Sequence, residues 1–209
     1  MERGLLAVIS GFAGAGKGTI VSQILKTHEN YVVSVSATTR APGKGEVDGV
    51  HYFFLTQDKF DHMVSENEFL EYASYVNHSY GTPRSFVEEQ LNQGKDVLLE
   101  IDIQGGRQVR KIYPDTPLIF ITPPSIDELV RRLTSRGRDS AESIARRLQR
   151  AAKEAEEIEE YDYVLVNDEI EACTERLHAV IQAEKARVNR RQDLIAEIQK
   201  QAALLCNPS

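Results

Sequence analysis

The sequence predicts an α/β fold built around a parallel sheet, and three observations carry that prediction. Leu5-Leu6-Ala7-Val8-Ile9 is an unbroken apolar run, as expected of a strand buried on both faces. Similar runs follow at Val32-Val33-Ser34-Val35, Val97-Leu98-Leu99, Leu118-Ile119-Phe120-Ile121 and Tyr163-Val164-Leu165-Val166. Stretches of helical spacing separate most of them, and such alternation belongs to parallel strands joined by helices.

The first helix is expected from Gly18, with Val21, Ile24, Leu25 and His28 at helical spacing. Another starts at Ser125, where Glu128 three residues on makes a capping box. Residues 36–90 break the alternation with turn material at Pro42-Gly43-Lys44-Gly45, a strand at His51–Leu55, a helix near Asp58–Glu66 and a helix from about Pro83 that stops at Gly94. They read as an inserted small lobe. Residues 127–160 are strongly helical with a weak point at Arg136-Gly137-Arg138-Asp139, and read as a helix–turn–helix lid. The core is then residues 1–35, 91–126 and 161–187, and 188–209 is a helical tail with Leu194, Ile195, Ile198 and Leu205 near one face. That stripe suits either packing on the core or joining subunits into a homo-oligomer.

With 41% hydrophobic and 27% charged residues, the 209-residue chain has enough apolar surface for a substantial core. Its net charge of −7 argues against nucleic acid as a partner, since that binding needs a Lys/Arg surplus. Any phosphate site must therefore be locally basic. Cys173 and Cys206 are too few for a disulfide framework, and neither has the spacing of a metal site, so free thiols are expected. The first residues run directly into an apolar strand without a leader pattern, and no apolar stretch approaches the roughly 18 residues of a membrane span. No membrane partner and a cytoplasmic location are the expectations.

After the first strand comes Gly11-Phe12-Ala13-Gly14-Ala15-Gly16-Lys17-Gly18-Thr19, with Gly and Gly-Lys at the spacing of a P-loop. Glycines let backbone N–H groups turn inward around a phosphate, the following helix presents its positive end, and Lys17 adds a point charge. Gly18 stands where Ser or Thr often follows the lysine, so the hydroxyl comes one place later. Thr19 is the expected Mg²⁺ ligand, with Ser10 the other candidate.

A P-loop alone leaves many phosphate chemistries open, and the inserted lobe narrows them. Ser36-Ala37-Thr38-Thr39-Arg40-Ala41-Pro42, Gly45-Glu46-Val47-Asp48-Gly49, Glu68-Phe69-Leu70-Glu71-Tyr72-Ala73, Tyr80-Gly81-Thr82 and Glu100-Ile101-Asp102-Ile103-Gln104-Gly105 resemble the guanylate kinase family in order and spacing, over about residues 4 to 187. The resemblance implies a P-loop three-layer α/β/α core with a GMP-binding lobe and a lid. It implies transfer of the ATP γ-phosphoryl group to GMP with Mg²⁺, in guanine nucleotide synthesis and recycling.

Site residues follow by match to the family. Glu71 takes the guanine edge, where N1–H and the exocyclic amine form a donor pair that adenine lacks. Ser36 and Thr82 fall where the family places hydroxyls against the base, and Asp102 falls where it has an acid beside the substrate. Arg40, Tyr52 and Tyr80 match the group on the GMP phosphate. The family usually has a second arginine at the place of Gly43, and the neighbouring Lys44 is the candidate replacement, without a bidentate fork. Asn167 and Asp168 match residues near the adenine.

Seven arginines lie between Arg131 and Arg150 against Asp139 and Glu142. Arg132, Arg136 and Arg147 match the arginines that act with Lys17 on the phosphates in transfer, whereas Arg131, Arg138 and Arg150 are expected on a solvated face. The competing function class is a non-enzymatic guanylate-kinase-like scaffold that binds phosphopeptides. Such scaffolds typically have degraded phosphate loops, and here Gly16, Lys17 and the lid arginines are all present.

Overall fold

The computed structural model describes residues 3–135 and 141–206. The main sheet contains β1 (Leu6–Gly11), β2 (Tyr31–Val33), β7 (Asp96–Glu100), β8 (Leu118–Thr122) and β9 (Tyr163–Val166). Its order is β2-β7-β1-β8-β9, and every pairing is parallel. The five apolar runs thus become its five strands, although the second is cut to Tyr31–Val33.

Because side chains alternate across a strand, an unbroken apolar run feeds both faces. Leu5, Ala7 and Ile9 join one buried cluster with Leu98, Ile119 and Ile121; Leu6 and Val8 join another with Val97, Leu99 and Leu118. The first cluster is closed by Ile20, Val21 and Ile24 of α1 (Lys17–Thr27), Leu129 and Leu133 of α5 (Ile126–Ser135), and Leu177 and Ile181 of α7 (Ile170–Lys185). The second is closed by Val87 and Leu91 of α3 (Arg84–Asn92) and Val109 of α4 (Ile103–Ile112). Helices on both faces make the three layers. Removing one such side chain, as in Ile9→Ala at a wholly buried position, costs about 2–5 kcal/mol.

Residues 37–83 carry a second sheet, ordered β4-β3-β6-β5, from β3 (Ala37–Thr38), β4 (Phe53–Phe54), β5 (Phe69–Tyr75) and β6 (His78–Pro83). The strand expected at His51–Leu55 is shorter, preceded by an isolated bridge between Asp48 and Tyr52. α2 (Gln57–Ser65) starts at Thr56, whose hydroxyl accepts from the Lys59 N–H, and it buries Phe60 against Phe69 under this sheet. Stacked rings 4.5 Å apart fill that small core.

α5 starts at the expected cap, where the Ser125 hydroxyl accepts from the Glu128 N–H at 3.1 Å. Glu128 does not close the box: its carboxylate takes Arg131 and Arg132 instead, and the Arg131 bond, then that of Arg132, hold its carboxyl down at about 2. α6 (Ala141–Glu156) follows, and Arg136, Arg138 and Asp139 lie outside the described residues. α8 (Gln192–Cys206) ends the described chain; of its apolar stripe Leu194, Ile198 and Leu205 are more than half exposed, while Ile195 is half-buried. No described helix is long and apolar enough to cross a membrane. Cys173 is buried with a free thiol, and its burial pushes the pKa up.

Candidate active site

The carboxyl ends of parallel strands are where α/β folds place ligands. Here the end of β1 runs into the loop Gly11–Thr19, and α1 begins at Lys17, one residue before the position expected. Gly16 has φ +92° and caps the helix; a Cβ there would lie 2.4 Å from Asn167 Nδ2, so no other residue fits. Lys17 Nζ donates to the carbonyls of Gly11 (2.7 Å) and Phe12 (3.2 Å). Burial lowers its pKa, and Glu100 and Glu154 pull the other way.

The loop is tied to the far end of the chain. Asn167, just past β9, donates from Nδ2 to the Ala15 carbonyl at 2.7 Å. Arg132 donates to that carbonyl at 3.3 Å, to the Asn167 carbonyl at 2.9 Å and to Glu128 at 2.7 Å. Gly14, Gly16, Thr19, Arg132, Asn167 and Asp168 line one cavity of about 530 Å³. Asp168 is held in it by an ion pair with Arg176. Thr19 is exposed in the first turn of α1, whereas Ser10 is buried and donates its hydroxyl to the Ile101 carbonyl.

A second cavity of about 440 Å³ is lined by Ser36, Tyr52, Glu71, Tyr80, Glu100, Asp102 and Arg150, among others. Five of the seven expected acceptor residues therefore meet in one space. The other two contact residues that line it. Thr82 donates its hydroxyl to Glu71 Oε1 at 2.6 Å across the β5–β6 pair, and Glu71 is only 8% exposed. Burial raises the Glu71 pKa, and the Thr82 bond opposes it. Arg40 lies 5.4 Å from the Tyr52 ring centre, and its two terminal nitrogens pair with Glu46 at 2.8 and 2.9 Å. Donating to Glu46 raises the Arg40 pKa, and Arg40 in turn brings Glu46 down to about 2.

The phosphate loop abuts the second cavity. Glu100, at the carboxyl end of β7, lines the second cavity, and a Cβ on Gly18 would lie 3.5 Å from its Oε2. Sequence reading passed over Glu100, although an acid closing an apolar strand beside a P-loop is a readable signal. Asp102 caps α4, accepting from the Gly105 N–H at 3.0 Å, and its other oxygen takes Arg150 at 3.2 Å. Arg150, expected on a solvated face, instead reaches across from α6 into the second cavity, because that side of α6 meets the carboxyl end of β7. Arg147 lies half-buried on the same helix. Lys44 is exposed.

A family model described as guanylate kinase matches residues 3–184. The chain belongs to the guanylate kinase family. A guanylate kinase of Lactococcus lactis subsp. lactis is 49% identical over 189 residues, covering 90% of this chain and 92% of that one. One from Streptococcus pneumoniae is 50% identical over 190 residues, with 90% and 91% covered. The crystal structure of guanylate kinase from Anaplasma phagocytophilum superposes with a TM-score of 0.70 at 35% identity, covering 90% of each chain. The α/β architecture with its parallel sheet is therefore that of this family.

Proposed function

We propose that this chain transfers the γ-phosphoryl group of ATP to GMP, giving ADP and GDP. The observation that carries the reading is the buried Glu71–Thr82 pair facing a cavity that abuts the phosphate loop. A carboxylate fixed at one oxygen by a hydroxyl presents acceptor lone pairs to the guanine N1–H and amine, and adenine cannot match them. Membership of a family whose relatives are guanylate kinases supports the same reaction.

ATP binds in the cavity at Gly11–Thr19, with its adenine toward Asn167 and Asp168. Lys17 leaves the Gly11 and Phe12 carbonyls for the outer phosphates. Arg40, Tyr52 and Tyr80 hold the acceptor phosphate, and Ser36, Glu71, Thr82 and Asp102 surround the base. The acceptor oxygen is already ionised at neutral pH, so no general base is needed. The protein's task is to align two anions, neutralise them and exclude water. Arg132 and Arg147, with Arg136 from outside the described residues, supply positive charge from the lid, residues 127–160. Mg²⁺ would neutralise the phosphates that Lys17 does not reach. Thr19 is the hydroxyl for it, and Glu100, beside Gly18, is the carboxylate.

ATP chemistry and a free Cys173 thiol both suit a cytoplasmic location. The exposed α8 stripe joins a second copy of the chain. Its test is a light-scattering mass with and without residues 192–209, and an unchanged mass per chain refutes it. The reaction itself is tested by ADP release from ATP and Mg²⁺ with GMP, set against AMP. Release no higher than background, or equal use of the two acceptors, overturns it.

A further inference from the structure

The acceptor cavity has a charge problem that the expected residues do not solve. Its lining carries three carboxylates, Glu71, Glu100 and Asp102, yet it must admit a nucleotide bearing a phosphate dianion. Arg40 helps less than its charge suggests, because Glu46 occupies both ends of its guanidinium fork and also accepts from the Gly43 N–H at 2.5 Å. Gly43 stands where a second arginine was expected, and the exposed Lys44 makes no described contact with the cavity. Among the described residues that line the cavity, one is a cation: Arg150.

Arg150 is also held as a positioned donor. Its Nε donates to Glu154 Oε1 at 2.8 Å, one helical turn along α6, and one Nη2 hydrogen goes to Asp102. Glu154 is 9% exposed, and its second oxygen is buried without a partner among the described residues, so this anchor is fixed by packing rather than floating in solvent. A guanidinium has five N–H groups, and these contacts use two of them. The side chain is half exposed, toward the cavity it lines.

We propose that Arg150 is the second guanidinium on the acceptor phosphate, reaching from α6 to do what Gly43 cannot, with Glu154 and Asp102 as its positioning residues. The proposal rests on the reading that Arg40, Tyr52 and Tyr80 surround that phosphate. Without ligand, Asp102 holds the charge of Arg150; with the nucleotide in place, the free N–H groups of Arg150 turn to the phosphate oxygens.

The test is calorimetric binding of GMP and of guanosine, which lacks the phosphate, to the full chain and to Arg150→Ala, Arg150→Lys and the double variant Arg150→Ala/Gly43→Arg. A lost charge-assisted contact weakens GMP roughly ten- to a hundredfold. Guanosine binding and the KM for ATP should shift less than about twofold. Arg150→Lys should recover only part of the loss, for want of a fork, and Gly43→Arg should restore GMP binding in the Arg150→Ala background. Equal weakening of GMP and guanosine would place Arg150 on the base instead and overturn the proposal. Arg40→Ala separates the two layers of the argument. If GMP binding falls in Arg40→Ala but stays in Arg150→Ala, the Arg150 proposal alone is wrong. If both variants keep GMP, the phosphate-pocket reading beneath it is wrong.

Discussion

Glu71→Ala tests the base-recognition reading most directly. The carboxylate is 8% exposed and receives the Thr82 hydroxyl at 2.6 Å, so it is both desolvated and held in one orientation. Guanine would offer it two donors, and a hydrogen bond to a charged acceptor contributes about 1.5–3 kcal/mol. Losing both removes about 3–6 kcal/mol, which at about 1.4 kcal/mol per decade lowers kcat/KM for GMP by roughly 10²–10⁴. AMP presents an acceptor at N1, which the carboxylate repels, so its kcat/KM should hold or rise. The ratio of the two, measured by ADP release at matched concentrations, should fall by about three decades. The fold should survive, because the alanine removes a carboxyl whose burial disfavours its charge. A melting temperature within a few degrees of the parent would show that. A variant that keeps its GMP/AMP ratio within threefold refutes the role of Glu71.

The same ratio carries a pH signature. Burial places the Glu71 pKa above its ordinary value, so the recognising carboxylate is lost, as pH falls, at a higher pH than an exposed glutamate would be. The nucleotide phosphate titrates alike in GMP and AMP and cancels; a GMP/AMP ratio that falls with acid only in the range of an ordinary exposed glutamate contradicts the expectation. Lys17→Ala should abolish turnover while leaving GMP binding intact, and turnover within tenfold of the parent would count against the loop assignment. Gly16→Ala forces a Cβ to 2.4 Å from Asn167 Nδ2 at φ +92°, so the KM for ATP should rise more than tenfold with GMP binding kept; an unchanged KM for ATP is the contrary result. Lys185→Met leaves the Asp96 carboxylate, 2% exposed, with only the Leu5 N–H as partner among the described residues, and should cost about 3 kcal/mol in urea unfolding. A loss under 1 kcal/mol would mean that the pair is solvated.

The core was readable because its physics is local. A strand covered on both faces must be apolar throughout, and β1, β7 and β8 announced themselves that way; the edge strands β2 and β9 are apolar runs too, though only partly covered. The second sheet was not readable in the same way. β5 and β6 meet in a tight turn at Val76-Asn77, with φ +46° and +63°, where a β-branched valine hides the usual Asn-Gly signal. Polar site residues, Glu71 above all, also break the apolar pattern of β5. The base and phosphate residues of this lobe were therefore found through their family pattern, not through periodicity. Arg150 escaped because helical spacing tells which residues share a face but not what that face meets; only the tertiary contact with Asp102 reveals it. Glu154, an acid on a charged helix, gave no sign of its burial.

The central place of β1 has a consequence for how the chain is made. Both its sheet neighbours, β7 and β8, lie about a hundred residues downstream, so β1 has no partner until residue 100 has emerged and lacks its second until residue 122 has. At about 5–20 residues per second, that interval is on the order of 5–20 s. Throughout it Leu5–Ile9 is an unpaired apolar segment, the kind that seeks pairing with other chains. The phosphate loop waits longer still, because Asn167 must arrive before the Ala15 carbonyl is held. A nascent chain arrested before β9 should therefore need chaperone cover, and nucleotide binding should appear only once β9 and Asn167 have been made.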